Sequence, residues 1–239
     1  MSVDLAIQLR EGTKKAHTMA ENTGFMSCFL KGVVDKATYR NLIADFYFVY
    51  TAMEHQIGRL SKEGNPVILP INYSELNRKK KLEEDLLFYF GVDWKDCISP
   101  TQSAKDYVER INKLGKENPE LLVAHHYTRY IGDLSGGQML KAIAQKAMNL
   151  PEHDGLRFYE FDSINNDKLF KDQYRATLDT LPINQHMADL IVAEANYAYE
   201  CNMNIFQELE GNLIAAIGKV LFNFLTRRKN RGSTENKSV

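Results

Sequence analysis

A histidine near the N-terminus is the first candidate functional residue of the chain. His17 lies four residues before Glu21, so on a helix the carboxylate would stand one turn from the imidazole. A carboxylate in that place can accept a hydrogen bond from one ring nitrogen, fix the tautomer and raise the basicity of the other nitrogen. Such an imidazole suits an axial ligand of iron. A histidine on an amphipathic helix is more often an ordinary core or surface residue, so both interpretations stay open at this point.

Three glycines interrupt a strongly helical stretch at 127–138. Gly132, Gly136 and Gly137 each cost about 1 kcal/mol relative to alanine inside a helix, so something should offset the penalty. Gly132 and Gly136 are four residues apart and leave one helical ridge without side chains, which lets a second helix or a flat ligand approach the backbone. Helix packing around a glycine kink explains the pattern about as well. A phosphate-binding loop is not supported, because no Gly-Lys-Ser/Thr ending follows and no strand precedes the glycines.

Five basic residues could bind carboxylates of a ligand: Arg10, Lys14, Lys168, Lys171 and Arg175. Lys171 and Arg175 are four residues apart, so both could contact one ligand from the same helix face. A solvated basic face explains such a pattern more often. The basic runs at 78–81 and 227–231 are interpreted in that way alone, and no chemistry is assigned to them.

The elements that must position these residues are predicted to be helices. Long stretches of helical apolar period contain little proline or glycine, and alternating β-branched runs are nearly absent. Helices are predicted at 5–22, 39–60, 76–90, 103–115, 119–149, 168–181 and 184–225. Gly24 is predicted to end the first of these and Asn118 to cap the fifth. The fold class is therefore all-α, with a single domain at 1–226 and a polar, disordered tail at 227–239.

Composition bounds the class of protein. The 239 residues are 44% hydrophobic and 26% charged, with 30 basic and 31 acidic side chains, so no global field attracts nucleic acid or an anionic membrane. Three widely spaced cysteines argue against a disulfide framework and favour a reducing compartment. No stretch reaches the roughly 20 apolar residues of a membrane helix, and residues 1–17 lack the apolar core of a secretory signal. We therefore expect a soluble protein of the cell interior.

Two other enzyme classes are disfavoured by missing motifs. A di-iron carboxylate bundle ordinarily needs two Glu-x-x-His motifs, and the chain contains none. A serine triad is unsupported because Ser135 does not follow a predicted strand.

Several segments of the chain resemble the haem oxygenase family. They are LREGTKKAHTMAEN at 9–22, PELLVAH at 119–125, YTRYIGDLSGGQ at 127–138, FK at 170–171 with YR at 174–175, and EAN at 194–196 with FQEL at 206–209. The resemblance spans about 5–225, and the segments at 209–214 and 225–228 look most like the cyanobacterial and algal plastid branch. It implies an all-helical fold that holds haem between a proximal helix and a distal helix.

The resemblance also implies roles for single residues. His17 matches the axial ligand of the haem iron, and Glu21 matches the carboxylate that hydrogen-bonds to it. Asp133 matches the distal aspartate, the candidate catalytic residue, which passes protons to the oxygen through ordered water. Three residues match the glycines whose backbone lies against the porphyrin: Gly132, Gly136 and Gly137.

The remaining matches surround this centre. A supporting polar network is formed by Tyr50, Arg129 and Asn202, and Phe206 matches an aromatic residue of the distal wall. The residues that match the surroundings of the haem propionates are Arg10, Lys14, Tyr127, Lys171 and Arg175. Those charges would set the in-plane rotation of the haem and hence the carbon that is attacked. Arg10 and Tyr199 depart from the animal pattern, which has lysine and phenylalanine there, and the C-terminal membrane anchor of that pattern is missing.

The activity implied by the resemblance is oxidative cleavage of haem b at the α-meso carbon to biliverdin IXα, carbon monoxide and ferrous iron. Haem would be both substrate and cofactor, O2 the oxidant and a soluble protein, ferredoxin, the external electron donor. A downstream bilin reductase is a further expected partner. The location would be the cyanobacterial cytosol, or the plastid stroma if a transit peptide has been removed.

One alternative is a non-catalytic haem-binding or haem-delivery protein of the same fold, which would lack a distal proton network. The presence of Asp133 favours the enzyme. A second alternative, a helical scaffold without cofactor, would leave the joint matches unexplained.

Overall fold

The computed structural model describes the backbone of residues 3–231 and the side chains of residues 3–211, and in this part of the chain every regular element is a helix. The α-helices are α1 (Leu5–Gly12), α2 (Lys14–Glu21), α3 (Gly24–Leu30), α4 (Lys36–Lys62), α5 (Lys79–Phe90), α6 (Trp94–Cys97), α7 (Gln102–Glu117), α8 (Leu122–His126), α9 (Gly132–Met148), α10 (Asp167–Asp179) and α11 (Gln185–Arg231). Short 3-10 turns lie at Leu69–Ile71, Ser74–Leu76, Pro119–Leu121 and Arg157–Tyr159. The all-α prediction is confirmed.

The long helix α4 lies at the centre of the bundle. Asp35 caps its N-terminus by accepting hydrogen bonds from the backbone N–H groups of Ala37 and Thr38, both at 2.9 Å. The helix packs against α5, α7 and α11 and buries side chains along its length, Tyr50 and Met53 among them. Because α4 is held on several sides, its residues give the site next to it a rigid wall.

The first predicted helix is two helices that meet at Thr13. The Thr13 hydroxyl donates to the carbonyl oxygen of Leu9 at 2.7 Å, a backbone contact that bends helices. Gly24 does not end this segment as predicted; it is the first residue of α3, and Thr23 caps that helix by accepting from the N–H of Met26 at 3.4 Å. Because of this bend, the direction of α2, which carries His17, differs from that of α1.

The predicted helix at 119–149 contains a change of helical type. Pro119–Leu121 forms a 3-10 turn, and the Asn118 side chain makes no capping hydrogen bond, so that part of the prediction is wrong. After α8, the five residues Tyr127–Ile131 form a π-turn, which leads directly into α9. π-turns inserted in α-helices often occur at functional sites. This turn carries two of the predicted site residues.

The last helix extends further than predicted. It was expected to end at 225, and it extends to Arg231, which takes in the first five residues of the predicted tail; the rest of that tail, 232–239, lies outside the described residues. Within 3–231 no helix combines the length and apolarity that crossing a membrane requires.

Arg78 contradicts the interpretation of the 78–81 run as a solvated face. Its side chain is only 3% exposed and donates to the carbonyl oxygens of Leu76, at 2.9 Å, and Phe158, at 3.3 Å. The guanidinium also lies 3.7 Å from the centre of the Phe161 ring. Carbonyl groups brought together by the fold satisfy this charge, and the local sequence gives no sign of them.

Candidate active site

A narrow cleft of about 130 Å³ lies between α2, α11 and the stretch formed by the π-turn and α9. The predicted site residues that line it are His17, Glu21, Arg129, Gly132, Asp133, Asn202 and Phe206. Lining residues that were not predicted for the site include Met26, Thr128 and Leu140. Residues from three distant parts of the chain therefore meet at one place, as the sequence matches require.

His17 lies on the α2 side of the cleft, and 54% of its side chain is exposed. Its Nδ1 is 3.8 Å from Oε1 of Glu21, which is longer than a hydrogen bond, so the predicted bond is not formed in this conformation. The imidazole packs edge-on against the ring of Tyr199, with ring centres 5.8 Å apart. An accessible imidazole held between a carboxylate and an aromatic ring has the features of a metal ligand.

A buried polar network lies on the α9 side. The Tyr50 hydroxyl donates a short hydrogen bond to Oδ2 of Asp133 and accepts one from Nε of Arg129 at 2.9 Å. The two Nη atoms of Arg129 reach Oδ1 of Asn202 at 2.8 Å and Oδ1 of Asp133 at 3.3 Å. The Arg129 guanidinium also lies 4.2 Å from the centre of the Phe46 ring. The three predicted members of the network and Asp133 are thus joined, with Arg129 bonded to each of the other three.

Two opposing influences act on Asp133. Burial raises the pKa of its carboxyl group above the ordinary value, and the charge of Arg129 and the hydrogen bond from Tyr50 oppose that rise without cancelling it. Burial also raises the pKa of Tyr50 well above its ordinary value, so the phenol stays protonated and can donate. The network therefore places a carboxyl group with increased proton affinity at the edge of the cleft.

The three glycines of α9 do not share one environment. A Cβ atom at Gly132 or Gly136 would meet nothing within 4 Å, so helix packing does not account for these two positions. A Cβ atom at Gly137 would come within 3.2 Å of Cδ1 of Tyr159, which makes Gly137 a packing position. The backbone of α9 therefore carries no side chain at Gly132, which lines the cleft, and at Gly136, one turn later.

The predicted basic residues lie on α1, α2 and α10. Burial raises the pKa of the Tyr127 phenol, and the charges of Arg175 and Arg10 oppose that rise. Lys14 pairs with Glu11 at 2.5 Å, and Arg175 pairs with Asp172 at 2.9 Å. Among residues 3–211, Lys171 has no carboxylate within 4.0 Å. Within the same described range, no contact joins Lys14 or Lys171 to Tyr127. Lys171 lies on α10 with Arg175, and Lys14 is the first residue of α2, directly after the helix that carries Arg10.

Residues of the cleft that sequence reasoning missed have different origins. Met26 lies on α3, which was not predicted, although Thr23 followed by a short apolar run was an available signal. Thr128 and Leu140 are four residues before Gly132 and four after Gly136, so the helical spacing of the glycines could have indicated them. The Thr128 hydroxyl is buried and has no hydrogen-bond partner among the described residues.

The fold and the cleft define an all-helical protein in which a histidine-bearing helix faces a helix with bare backbone. Comparison with known proteins identifies the family. The model of the family described as "Heme oxygenase" matches residues 3–208. The chain is 56% identical over 235 residues to heme oxygenase 1 of Nostoc sp., covering 98% of each chain. The chain belongs to the heme oxygenase family and is a haem-degrading oxidoreductase.

Solved structures agree with this assignment. The crystal structure of heme oxygenase-1 from Synechocystis sp., in complex with heme, superposes with a TM-score of 0.87 at 53% identity and covers 93% of this chain and 100% of its own. Heme oxygenase-2 from the same organism, in complex with heme and NO, gives a TM-score of 0.87 at 45% identity, covering 99% of this chain and 98% of its own.

Proposed function

We propose that the chain cleaves haem b at the α-meso carbon to biliverdin IXα, carbon monoxide and ferrous iron, using O2 and electrons from an external donor. The observation that carries the proposal is the cleft itself, in which an exposed histidine and a buried aspartate network lie on separate helices. Both relatives compared as solved structures were crystallised with heme.

The chain's donor set fits a flat metalloporphyrin. His17 supplies a nitrogen ligand for the iron, and Glu21 is close enough to orient the imidazole after a small movement. The bare backbone at Gly132 and Gly136 leaves room for a porphyrin face. The cleft of about 130 Å³ adjoins a second cavity of about 80 Å³, and Arg129, Asp133 and Phe206 line both.

Asp133 is the proposed catalytic residue, and its role is to hold and pass protons. When bound, the haem supplies the iron at which O2 is activated. Tyr50 donates to Oδ2 of Asp133, and Arg129 orients the carboxyl group from the other side. Water held by this carboxyl group would carry protons into the cleft. The raised pKa of Asp133 supports the role because this carboxyl group has a higher proton affinity than an ordinary aspartate.

The haem carboxylates are the proposed partners of four basic residues and one phenol: Arg10, Lys14, Lys171, Arg175 and Tyr127. The support for this placement is that Arg10 and Arg175 are exposed and that the charges of both oppose the rise in the pKa of Tyr127; each now pairs with a carboxylate, Glu11 or Asp172, which a propionate would displace. Charge-assisted hydrogen bonds to both propionates would fix the in-plane rotation of the substrate, and with it the α-meso carbon as the site of attack. Gly137 and Phe206 would complete the distal wall, with Phe206 stacked on Phe25 at 5.6 Å.

A ferredoxin is the proposed electron donor, and a bilin reductase is the proposed consumer of the product. The support is the similarity to heme oxygenases from cyanobacteria and from algae such as Guillardia theta. We propose the cytosol or the plastid stroma as the location on the same ground.

The test is an absorption time course of the purified protein with one equivalent of haemin, followed by reduced ferredoxin in air. We expect a Soret band that forms and then decays, with biliverdin IXα identified by chromatography and carbon monoxide trapped by reduced myoglobin. A flavoprotein reductase that replaces ferredoxin should support slower turnover. A Soret band that forms and persists would instead identify a haem carrier, and another biliverdin isomer would overturn the α-specificity.

A further inference from the structure

A buried histidine next to the cleft is not used by the proposed mechanism. His126 is the last residue of α8 and immediately precedes Tyr127, the first residue of the π-turn. Its Nδ1 and the hydroxyl of Tyr174 are joined by a hydrogen bond of 2.7 Å. The two rings are stacked within 7° of parallel, with centres 5.5 Å apart. A hydrogen bond combined with ring stacking defines the relative placement of two side chains more closely than either contact alone.

The contact joins the end of α8, two residues before Thr128 of the cleft, to the helix that carries two of the basic residues. Tyr174 lies on α10, three residues after Lys171 and one residue before Arg175. Only two side chains of α10 are buried, Tyr174 and Leu178. Tyr174 is therefore one of the points at which α10 is held to the interior, together with Leu178 and the hydrogen bond of 2.7 Å between Thr177 and Tyr73. It is the one that lies directly between the two cations in sequence.

We propose that His126 is a positioning residue: through Tyr174 it fixes α10, with Lys171 and Arg175, relative to the Tyr127 side of the cleft, and so sets the in-plane seating of a dicarboxylate porphyrin. The inference rests on the proposed function, because it takes the haem carboxylates as the partners of α10. His126 would touch neither the substrate nor the reacting atoms. Its burial keeps the imidazole neutral, with a pKa lowered to about 3, so the contact stays the same across the physiological range.

The neighbouring residue offers a matched control. His125 pairs with the Tyr107 hydroxyl through Nδ1 at 3.3 Å, with ring centres 5.4 Å apart, and both residues are buried. Tyr107 lies on α7, which contributes no residue to the cleft. Tyr107→Phe and Tyr174→Phe each remove one hydroxyl from a buried histidine–tyrosine pair and keep the ring, so neither variant leaves a large cavity.

The experiment uses the full chain loaded with haemin. Proton NMR of the haem methyl groups reports the ratio of in-plane seatings, and chromatography of the products reports the ratio of biliverdin isomers. We expect Tyr174→Phe and His126→Ala to raise the minor seating and the non-α isomers about fivefold, the effect of losing one net hydrogen bond. His126→Asn keeps a polar group at the position of Nδ1 and should restore most of the wild-type ratio. Tyr107→Phe should leave both ratios unchanged.

Two results would overturn the inference. One is an unchanged seating ratio in Tyr174→Phe, and the other is an equal shift in Tyr107→Phe, which would indicate general loosening. A wild-type protein that binds haemin but forms no biliverdin would contradict the proposed function instead, and the NMR ratio would still decide the role of His126.

Discussion

At the scale of single residues, the site combines one accessible base with one buried acid. His17 is more than half exposed, whereas Asp133 is enclosed by Tyr50 and Arg129. The difference suits two tasks: a metal ligand must reach its metal, and a group that holds protons benefits from partners that fix its geometry. Each residue can therefore be tested by a substitution that leaves the other intact.

Asp133→Ala should retain haemin binding and lose biliverdin formation. Removal of the carboxyl group leaves Tyr50 and Arg129 without their shared acceptor and removes the group that orders water. General acid–base groups increase reaction rates roughly 10²- to 10⁴-fold, so we expect biliverdin to form at least about 10²-fold more slowly in single-turnover assays. Asp45→Asn is the control, because that buried carboxylate accepts from Thr101 and lies outside the cleft. An unchanged yield in Asp133→Ala would remove Asp133 from the mechanism.

His17→Ala should abolish the absorption spectrum of histidine-ligated haem. The vacated space lies on the exposed side of α2, so added imidazole should enter it and restore part of the spectrum. His186→Ala, at an exposed position on α11, serves as the control and should keep the spectrum. If His17→Ala also kept it, another residue would have to bind the iron.

The residue pattern predicted which side chains come together, but not every contact between them. The i, i+4 spacing of His17 and Glu21 indicated a pair, and the structure separates its atoms by 3.8 Å because side-chain rotamers are decided by neighbours such as Tyr199. Arg78 was placed on the surface because its neighbours in sequence are lysines. Its burial depends on carbonyl groups from residues about 80 positions away, which no local pattern contains.

At the scale of elements, the positions of the helix breaks decide where the site residues point. Apolar periodicity predicted most of the long helices, since it reports which face is buried. It did not predict the bend at Thr13, which depends on a hydroxyl contact with Leu9, nor the π-turn at Tyr127–Ile131, whose residues have ordinary helical character. Bends and π-turns of this kind cost little free energy locally. Their positions depend on how the whole helix packs against its neighbours.

Gly132→Ala should separate stability from binding. A Cβ atom at this position meets nothing within 4 Å, so alanine should stabilise the helix through its higher helix propensity. We expect the unfolding free energy to rise by up to about 1 kcal/mol, and the melting temperature to rise with it. The same methyl group lies on the cleft and should weaken haemin affinity. At Gly137, alanine meets Tyr159 and should gain less stability. Unchanged haemin affinity in Gly132→Ala would show that the substrate does not lie against this backbone.

At the scale of the whole molecule, a buried ionic cluster joins three helices behind the cleft. Glu194 of α11 is bonded to Nε2 of His125 on α8 at 2.8 Å and to Nε of Arg110 on α7 at 2.9 Å, and its side chain is only 6% exposed. Burial alone would raise the pKa of Glu194, but the hydrogen bonds from His125 and Arg110 outweigh it and lower the pKa to about 2. The cluster therefore stabilises the bundle only while Glu194 is ionised.

This cluster predicts a definite acid response. Because the folded pKa of Glu194 lies below its unfolded value, its contribution is complete above about pH 5 and is lost as the pH falls toward 2, an effect of about 3 kcal/mol. Glu194→Gln should lower the unfolding free energy at pH 6, and its difference from the wild type should shrink by about that amount by pH 2. Urea titrations at several pH values measure both curves. A constant difference between the two proteins would contradict the lowered pKa.

The π-turn between α8 and α9 affects the direction in which the side chains on either side of it point. Each residue of an α-helix rotates the next side chain by about 100°, and a π-turn takes up one additional residue. Before the turn, His125 and His126 face the interior; after it, Asp133 faces the cleft. Because the wide turn takes up this residue, α8 and α9 keep nearly the phase of one continuous helix. The same additional residue in a regular α-helix would rotate everything after it by about 100°, and Asp133 could no longer face the cleft while His125 and His126 face the interior.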